Sequence, residues 1–102
     1  MEFQIAKNKI RDNINIALRS AGYHKAPLFG QNTKPNFVKL LSQAGYPRFH
    51  IYFKETKTDY IFTLHLDQKK PVYKGAVAHS GEYNNSIVQE EAQRIINKLI
   101  AL

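Results

Sequence analysis

Two stretches near the middle of the chain carry apolar side chains at every second position. They span residues 48–54 and 60–67, and a period of two is typical of β-strands that bury one face. The apolar set consists of Phe49, Ile51, Phe53, Tyr60, Phe62, Leu64 and Leu66. Because the connection 55–59 between them is polar, the two stretches predict an antiparallel hairpin.

Two registers keep both apolar sets of this hairpin on one face, since a slip of one residue would turn a whole strand over. One register pairs His50 with His65. The other pairs Lys54 with Asp59 and leaves the two histidines diagonal. In both registers His50 and His65 share the face of the sheet that points away from the core.

Helices are predicted at both ends of the chain. Residues 2–21 have apolar side chains at helical spacing, and Gly22 follows where a left-handed C-cap belongs. Ile5 and Ile16 fall on the other side of this predicted helix. They form a candidate contact patch for a protein partner or a second copy of the chain, with a strand edge as the alternative surface for a homodimer.

The C-terminal helix has its own start signal, the capping-box pattern Ser86-x-x-Gln89. Its apolar face consists of Val88, Ala92, Ile95, Ile96, Leu99 and Leu102. Glu90 and Glu91 near its start and Lys98 near its end complement the helix dipole.

The remaining segments are connectors or short strands. Residues 22–36 and 68–85 contain glycine, proline and many polar side chains, which predicts two long loops, with a short edge strand at 72–78. Residues 37–44 fit either a helix or a third strand. The expected architecture is a single α+β domain over 1–102, with a three- or four-stranded antiparallel sheet and the N- and C-terminal helices packed on one face.

Composition narrows the class of protein. The 102 residues contain no cysteine, which excludes disulfides, thiolate metal sites and a cysteine nucleophile. No apolar run reaches the roughly 18–20 residues of a membrane span. The first residues lack the pattern of a signal peptide, so a cytoplasmic location and no membrane partner are expected.

The net charge of +7 lies entirely within residues 1–57, which hold ten lysines and arginines against three acidic residues. Residues 58–102 hold five basic and five acidic side chains. Such an asymmetry favours a polyanionic partner, with ordinary solubilising lysines as the plainer explanation.

The outward face of the hairpin gathers the candidate chemistry. Its side chains are His50, Tyr52, Lys54, Thr63 and His65, and the predicted nucleic-acid contacts are Arg48, His50, Tyr52, Lys54 and His65. A sheet face that carries aromatic and basic side chains is how several RNA- and ssDNA-binding modules stack bases and hold phosphates. The hypothesis is a module that stacks bases on Tyr52 and the histidines and binds phosphates with Arg48 and Lys54.

A second hypothesis is a metal-assisted hydrolase or nuclease. It would use His65 and Asp67 from a strand and His79 and Glu82 from the following loop, because histidine and carboxylate side chains are typical ligands of a hydrolytic metal. The spacing matches no established metal-site pattern, and the chain also lacks dinucleotide, nucleophile-elbow and His-Glu-x-x-His motifs. A binding module without metal or cofactor is therefore favoured over an enzyme.

One resemblance is topological. If residues 37–42 form a strand, the order helix–strand–strand–strand–helix resembles that of the double-stranded-RNA-binding domain. That family places a lysine cluster at the start of its second helix to bridge phosphates, whereas this chain has Gln89-Glu90-Glu91 there. Acidic side chains at that point would repel a duplex, so the resemblance does not carry that mode of binding with it.

A second resemblance lies in three short segments within residues 37–98. They are Tyr46-Pro47-Arg48-Phe49-His50-Ile51-Tyr52, Leu64-His65-Leu66-Asp67-Gln68-Lys69-Lys70-Pro71 and Ala78-His79-Ser80-Gly81-Glu82-Tyr83. They resemble a small bacterial protein family of unknown function in which the segment before Tyr46 is a strand. The resemblance favours the strand alternative for 37–44 and implies no activity.

Overall fold

The computed structural model describes residues 1–26, 35–68 and 85–100. Over these residues the chain forms one antiparallel sheet of five strands and two α-helices, so the α+β class is confirmed. In chain order the elements are β1 (Glu2–Ala6), α1 (Ile14–Ser20), β2 (His24–Lys25), β3 (Asn36–Leu40), β4 (Arg48–Glu55), β5 (Asp59–Asp67) and α2 (Asn85–Ile100), with a 3₁₀ turn at Lys7–Lys9. The strands lie in the order β1-β5-β4-β3-β2, one or two more than the predicted three or four.

The predicted hairpin, formed by β4 and β5, lies at the centre of the sheet. Its register pairs His50 with His65 and Ile51 with Leu64, which confirms the first of the two predicted registers. The alternating apolar residues face the core, where Ile51, Phe62 and Leu64 have no exposed surface.

The helix predicted over 2–21 is wrong at its N-terminal end. Residues Glu2–Ala6 form β1, which pairs antiparallel with β5, and α1 begins only at Ile14. The apolar residues of this segment fit both periods. Pairing with β5, however, hydrogen-bonds the backbone and stacks Phe3 on Phe62, with ring centroids 5.1 Å apart.

Burial of the N-terminal strand also removes the predicted contact patch. Ile5 is 3% exposed in β1, whereas Ile16 is 56% exposed on α1. The two isoleucines therefore share no surface, and the patch predicted from them is wrong.

Helix α1 is capped at both ends by its own sequence. The Asn13 side chain accepts a 2.8 Å hydrogen bond from a backbone N–H of the first turn. At the other end Gly22 has a φ of +97°, as predicted, and its N–H donates to the Arg19 carbonyl. The Tyr23 N–H donates to the Leu18 carbonyl, which completes a Schellman motif and turns the chain back into β2.

The two alternatives for residues 37–44 are decided in favour of the strand. Asn36–Leu40 forms β3, which pairs antiparallel with β4. The short strand β2 then extends the sheet beyond β3, in the segment that was predicted as a loop. Because a strand precedes α1 and another follows it, the order of elements differs from that of the double-stranded-RNA-binding domain.

Helix α2 confirms the predicted C-terminal helix and begins at Asn85, one residue before the predicted capping residue Ser86. Buried residues of both helices form one cluster with the inward-facing residues of the sheet, so both helices lie on one face. The largest fully buried members are Tyr23, Phe37, Phe62, Leu18, Ile51, Leu64 and Ile95. We call the opposite side of the sheet the outer face.

The edge strand predicted at 72–78 lies outside the described residues. Of the two helices that the structure describes, neither is long and apolar enough to cross a membrane.

Candidate functional site

The strand register arranges the outer face into rows. One row holds His65, His50, Val38 and His24, and the next holds Glu2, Thr63, Tyr52 and Asn36. The five predicted nucleic-acid contacts are brought onto this face of β4 and β5: Arg48, His50, Tyr52, Lys54 and His65. The face follows directly from the hairpin, because every second side chain of each strand points away from the core.

Three aromatic rings form a contiguous group at the centre of the outer face. The ring centroid of Tyr52 lies 5.6 Å from that of His50 and 5.7 Å from that of His65. The Tyr52 hydroxyl and Nε2 of His65 are 3.2 Å apart, within hydrogen-bonding distance. All three side chains are partly exposed, and we call His50, Tyr52 and His65 the ring cluster.

The imidazole of His50 lies between the side chains of Asn36 and Asp67. Its Nε2 lies 3.1 Å from Asn36 Oδ1, and its Nδ1 lies 3.6 Å from Asp67 Oδ2. Because an amide oxygen can only accept, Nε2 carries the proton in this arrangement. Partial burial lowers the pKa of His50; the Asp67 carboxylate opposes this shift, while Arg48 and His65 reinforce it. His50 is therefore neutral at neutral pH.

The two ends of the outer face differ in charge. At one end Arg48 Nε donates to Asp67 Oδ2 at 3.4 Å, and the Arg48 guanidinium lies 4.7 Å from the centroid of the Tyr46 ring. At the other end Lys54 is exposed and has no acidic partner among the described residues. The charge of Arg48 is thus partly neutralised, whereas that of Lys54 is available to an anion.

The residues of the predicted metal site are only half described. His65 and Asp67 lie two residues apart on the outer face of β5, and Asp67 is engaged with Arg48 and His50. His79 and Glu82 lie outside the described residues. Within 1–26, 35–68 and 85–100, no group of three histidine or acidic side chains is placed to hold a metal ion.

A buried polar network joins the two helices, and sequence reasoning missed it. The Tyr23 hydroxyl donates to Glu91 Oε2 at 2.6 Å. Arg94 donates from Nε and Nη2 to the two oxygens of Glu91, each at 2.8 Å, and from Nη2 to the Ala21 carbonyl at 2.7 Å. A signal was present, because Glu91 lies three residues after Val88 and four before the buried Ile95, on the apolar face of α2.

The network explains how Glu91 stays charged in the core. Burial raises the pKa of Glu91, but hydrogen bonds from Arg94 and Tyr23 and the positive charge of Arg94 outweigh that effect, so the pKa is lowered overall. Burial and the neighbouring carboxylate raise the pKa of Tyr23, which keeps its hydroxyl protonated as a donor. Glu91 is therefore a structural anchor and not a solvent-facing acid that complements the helix dipole.

The comparisons with known proteins find no relative. The chain matches no family model, no curated protein and no solved structure.

Proposed function

We propose that the protein is a small, non-enzymatic module that binds single-stranded RNA or DNA on the outer face of its sheet. The observation that carries the proposal is the ring cluster, with its rings 5.6 and 5.7 Å apart, beside the exposed Lys54, which has no acidic partner in the described part of the chain. Stacking of a base on an aromatic side chain contributes about 1–3 kcal/mol and tolerates every base. Binding on this face is therefore proposed to prefer single strands without a strict sequence preference.

The charge asymmetry of the outer face supports one path for the strand. Asp67 lies at the Arg48 end, where its carboxylate disfavours a phosphate. Lys54 lies at the opposite end and is exposed. We infer that the phosphate backbone passes Lys54 while a base lies over Tyr52, with Arg48 making a weaker contribution than the sequence alone suggests.

A single strand fits these residues better than a duplex does. Aromatic side chains recognise bases that are unstacked and splayed out, and a duplex does not present them. Glu90 is exposed in the first turns of α2, where it repels the phosphates that a double-stranded-RNA-binding domain would bridge with lysines.

The test is the affinity of the intact chain for fluorescently labelled poly-U, measured by anisotropy over a series of salt concentrations. Tyr52→Thr together with Lys54→Glu should weaken binding by tenfold or more, or about 1.4 kcal/mol. Threonine keeps the β-propensity of the strand while removing the ring. The affinity of the wild type should also fall steeply with salt, because binding releases counterions from the strand.

The matched control is Lys57→Glu, which makes the same change in charge at the exposed tip of the hairpin. It should weaken binding by about twofold or less, through the general field alone. Equal losses in the control and the double variant, or no binding of poly-U at low salt, would contradict the proposed function.

A further inference from the structure

A second group of cations surrounds a cavity at the edge of the sheet, away from the ring cluster. The cavity has a volume of about 380 Å³ and lies between α1, β2 and β3. Among the described residues its walls are formed by Asn15, Arg19, His24, Lys25 and Phe37. No sequence pattern predicts a site at these residues.

The fold brings these side chains together through one chain reversal. Asn15 and Arg19 are four residues apart in α1, so they lie on the same side of the helix. The Schellman turn at Gly22 then sends the chain back, and His24 and Lys25 follow immediately as β2. The sheet supplies the back wall, since Lys25 pairs with Phe37.

The chemistry of the walls is that of an anion site. Arg19 and Lys25 are exposed, and neither has a carboxylate within ion-pair distance among the described residues. The Asn15 side chain adds an amide donor that makes no hydrogen bond within the described part of the chain. Phe37 is 1% exposed and makes the inner wall apolar.

We propose that this cavity binds a phosphoryl group, held by Arg19 and Lys25 with Asn15 as a further donor. The arginine fork matches two phosphate oxygens, and lysine supplies a second charge to a dianion. The cavity volume lies in the lower part of the range of about 300–1,000 Å³ that is usual for small-ligand sites. The phosphoryl site itself does not depend on the function proposed for the outer face, although one source of the phosphoryl group, the end of a bound strand, rests on it.

The side chains of the cavity would bind a phosphoryl group from either of two sources. One is a small phosphate ester such as a mononucleotide. The other is the terminal phosphate of a strand on the outer face, because His24 pairs with Val38 and Val38 pairs with His50, two strand spacings of about 4.8 Å each.

The experiment is a titration of the intact, ¹⁵N-labelled chain by NMR. Inorganic phosphate, AMP, and a short oligonucleotide with either a 5′-phosphate or a 5′-hydroxyl are the four probes. A saturable shift of the Arg19 and Lys25 signals with phosphate or AMP supports the small-ligand source. Tighter binding of the 5′-phosphorylated oligonucleotide than of its 5′-hydroxyl form supports the strand-end source.

The variant Arg19→Gln with Lys25→Gln should weaken binding of the responding probe by about tenfold, or about 1.4 kcal/mol. Both residues are exposed, so the fold should be retained. Lys9→Gln with Lys57→Gln removes the same charge at exposed positions that do not line the cavity and should leave binding nearly unchanged.

The proposal is overturned if no probe shifts the signals of Arg19 and Lys25, or if both pairs of substitutions weaken binding equally. The Tyr52→Thr, Lys54→Glu variant should still bind the phosphate probes, which separates this result from a failure on the outer face.

Discussion

The hydroxyl of Tyr23 donates a 2.6 Å hydrogen bond to the carboxylate of Glu91, across a sequence separation of 68 residues. Tyr23 has no exposed surface and Glu91 is 7% exposed. Arg94 closes the other side of the carboxylate and reaches the carbonyl of Ala21, the C-cap residue of α1. Helix α2 is thus attached to the end of α1 by charge-assisted hydrogen bonds as well as by apolar contacts.

Tyr23→Phe should lower the free energy of unfolding by about 1.5–3 kcal/mol, because the phenyl ring preserves the packing while a hydrogen bond to a charged acceptor is lost. Urea denaturation monitored by circular dichroism measures the change. Tyr60→Phe is the matched control, since the Tyr60 hydroxyl makes no hydrogen bond within the described residues and its loss should cost less than about 0.5 kcal/mol. Equal costs for the two substitutions would show that the Glu91 contact contributes nothing.

Glu91 should make the stability of the protein depend on pH. Its pKa in the folded state lies below the ordinary value of 4.5, so the folded state binds fewer protons than the unfolded state as the pH approaches that value. The stabilisation is fully present above 4.5 and is lost as the pH falls from there through the folded-state pKa. Glu91→Gln, which does not titrate, should be less stable at neutral pH and show a shallower decline in this window. A decline as steep as that of the wild type would assign the acid sensitivity to other groups.

The central hairpin was predictable because the pattern that specifies it lies within the two strands themselves. Strict alternation over 48–54 and 60–67 fixes which side chains face the core, and that restricts the register before any contact is known. The N-terminal segment was not predictable in the same way, since Phe3 fits both a helical and a strand period. The choice between the two depends on β5, more than fifty residues away in the chain, whose edge supplies the backbone partners of β1.

A pair of identical substitutions distinguishes the strand from the helix at the N-terminus. In β1 Ile5 is 3% exposed, so Ile5→Ala should cost about 2–5 kcal/mol. In α1 Ile16 is 56% exposed, so Ile16→Ala should be neutral or stabilising by a few tenths of a kcal/mol, because alanine is the better helix former. Thermal or urea unfolding of both variants checks the difference. Two small, equal effects would favour the helix over 2–21 and contradict β1.

The two candidate sites differ in the same way, because one follows from a local sequence pattern and the other depends on contacts between separate elements. The ring cluster follows from strand alternation alone, so the sequence was sufficient to place His50 and His65 side by side. The cavity at Arg19 and Lys25 requires the chain to reverse at Gly22 and to add β2 to the sheet, and a two-residue strand has no periodicity to detect. Sequence patterns therefore identified the candidate site on one hairpin and missed the candidate site assembled from three elements.

The left-handed turn at Gly22 can be tested by comparing it with Gly45, a second glycine with a positive φ. Gly22 and Gly45 have φ values of +97° and +93°, so an alanine at either position should cost about 1–2 kcal/mol through its Cβ. At Gly22 that Cβ would also lie 3.2 Å from Lys39 Cε, whereas at Gly45 it would have no neighbour within 4 Å among the described residues. Gly22→Ala should therefore be the more destabilising of the two in urea, and Lys39→Ala in the same chain should reduce the difference. An unchanged stability for Gly22→Ala would contradict the left-handed cap.

His50 should make the free energy of unfolding decrease in mild acid. Its folded-state pKa lies below the ordinary 6.5, mainly because it is partly buried. Above 6.5 the residue is neutral in both states and has no effect. As the pH falls below 6.5, the unfolded chain takes up a proton that the folded chain does not, so stability decreases until the folded-state pKa is reached. His50→Gln should abolish this part of the decline, and it keeps a donor for Asn36.

The ring titration of His50, followed by NMR, measures the same quantity directly. Its midpoint should lie below 6.5 and should fall further in Asp67→Asn, because the Asp67 carboxylate, 3.6 Å from Nδ1, favours the charged ring. Arg48→Gln should move the midpoint in the opposite direction, since Arg48 disfavours the charged ring. A wild-type midpoint at or above 6.5, or shifts of the same sign in the two variants, would show that burial and these charges do not control His50.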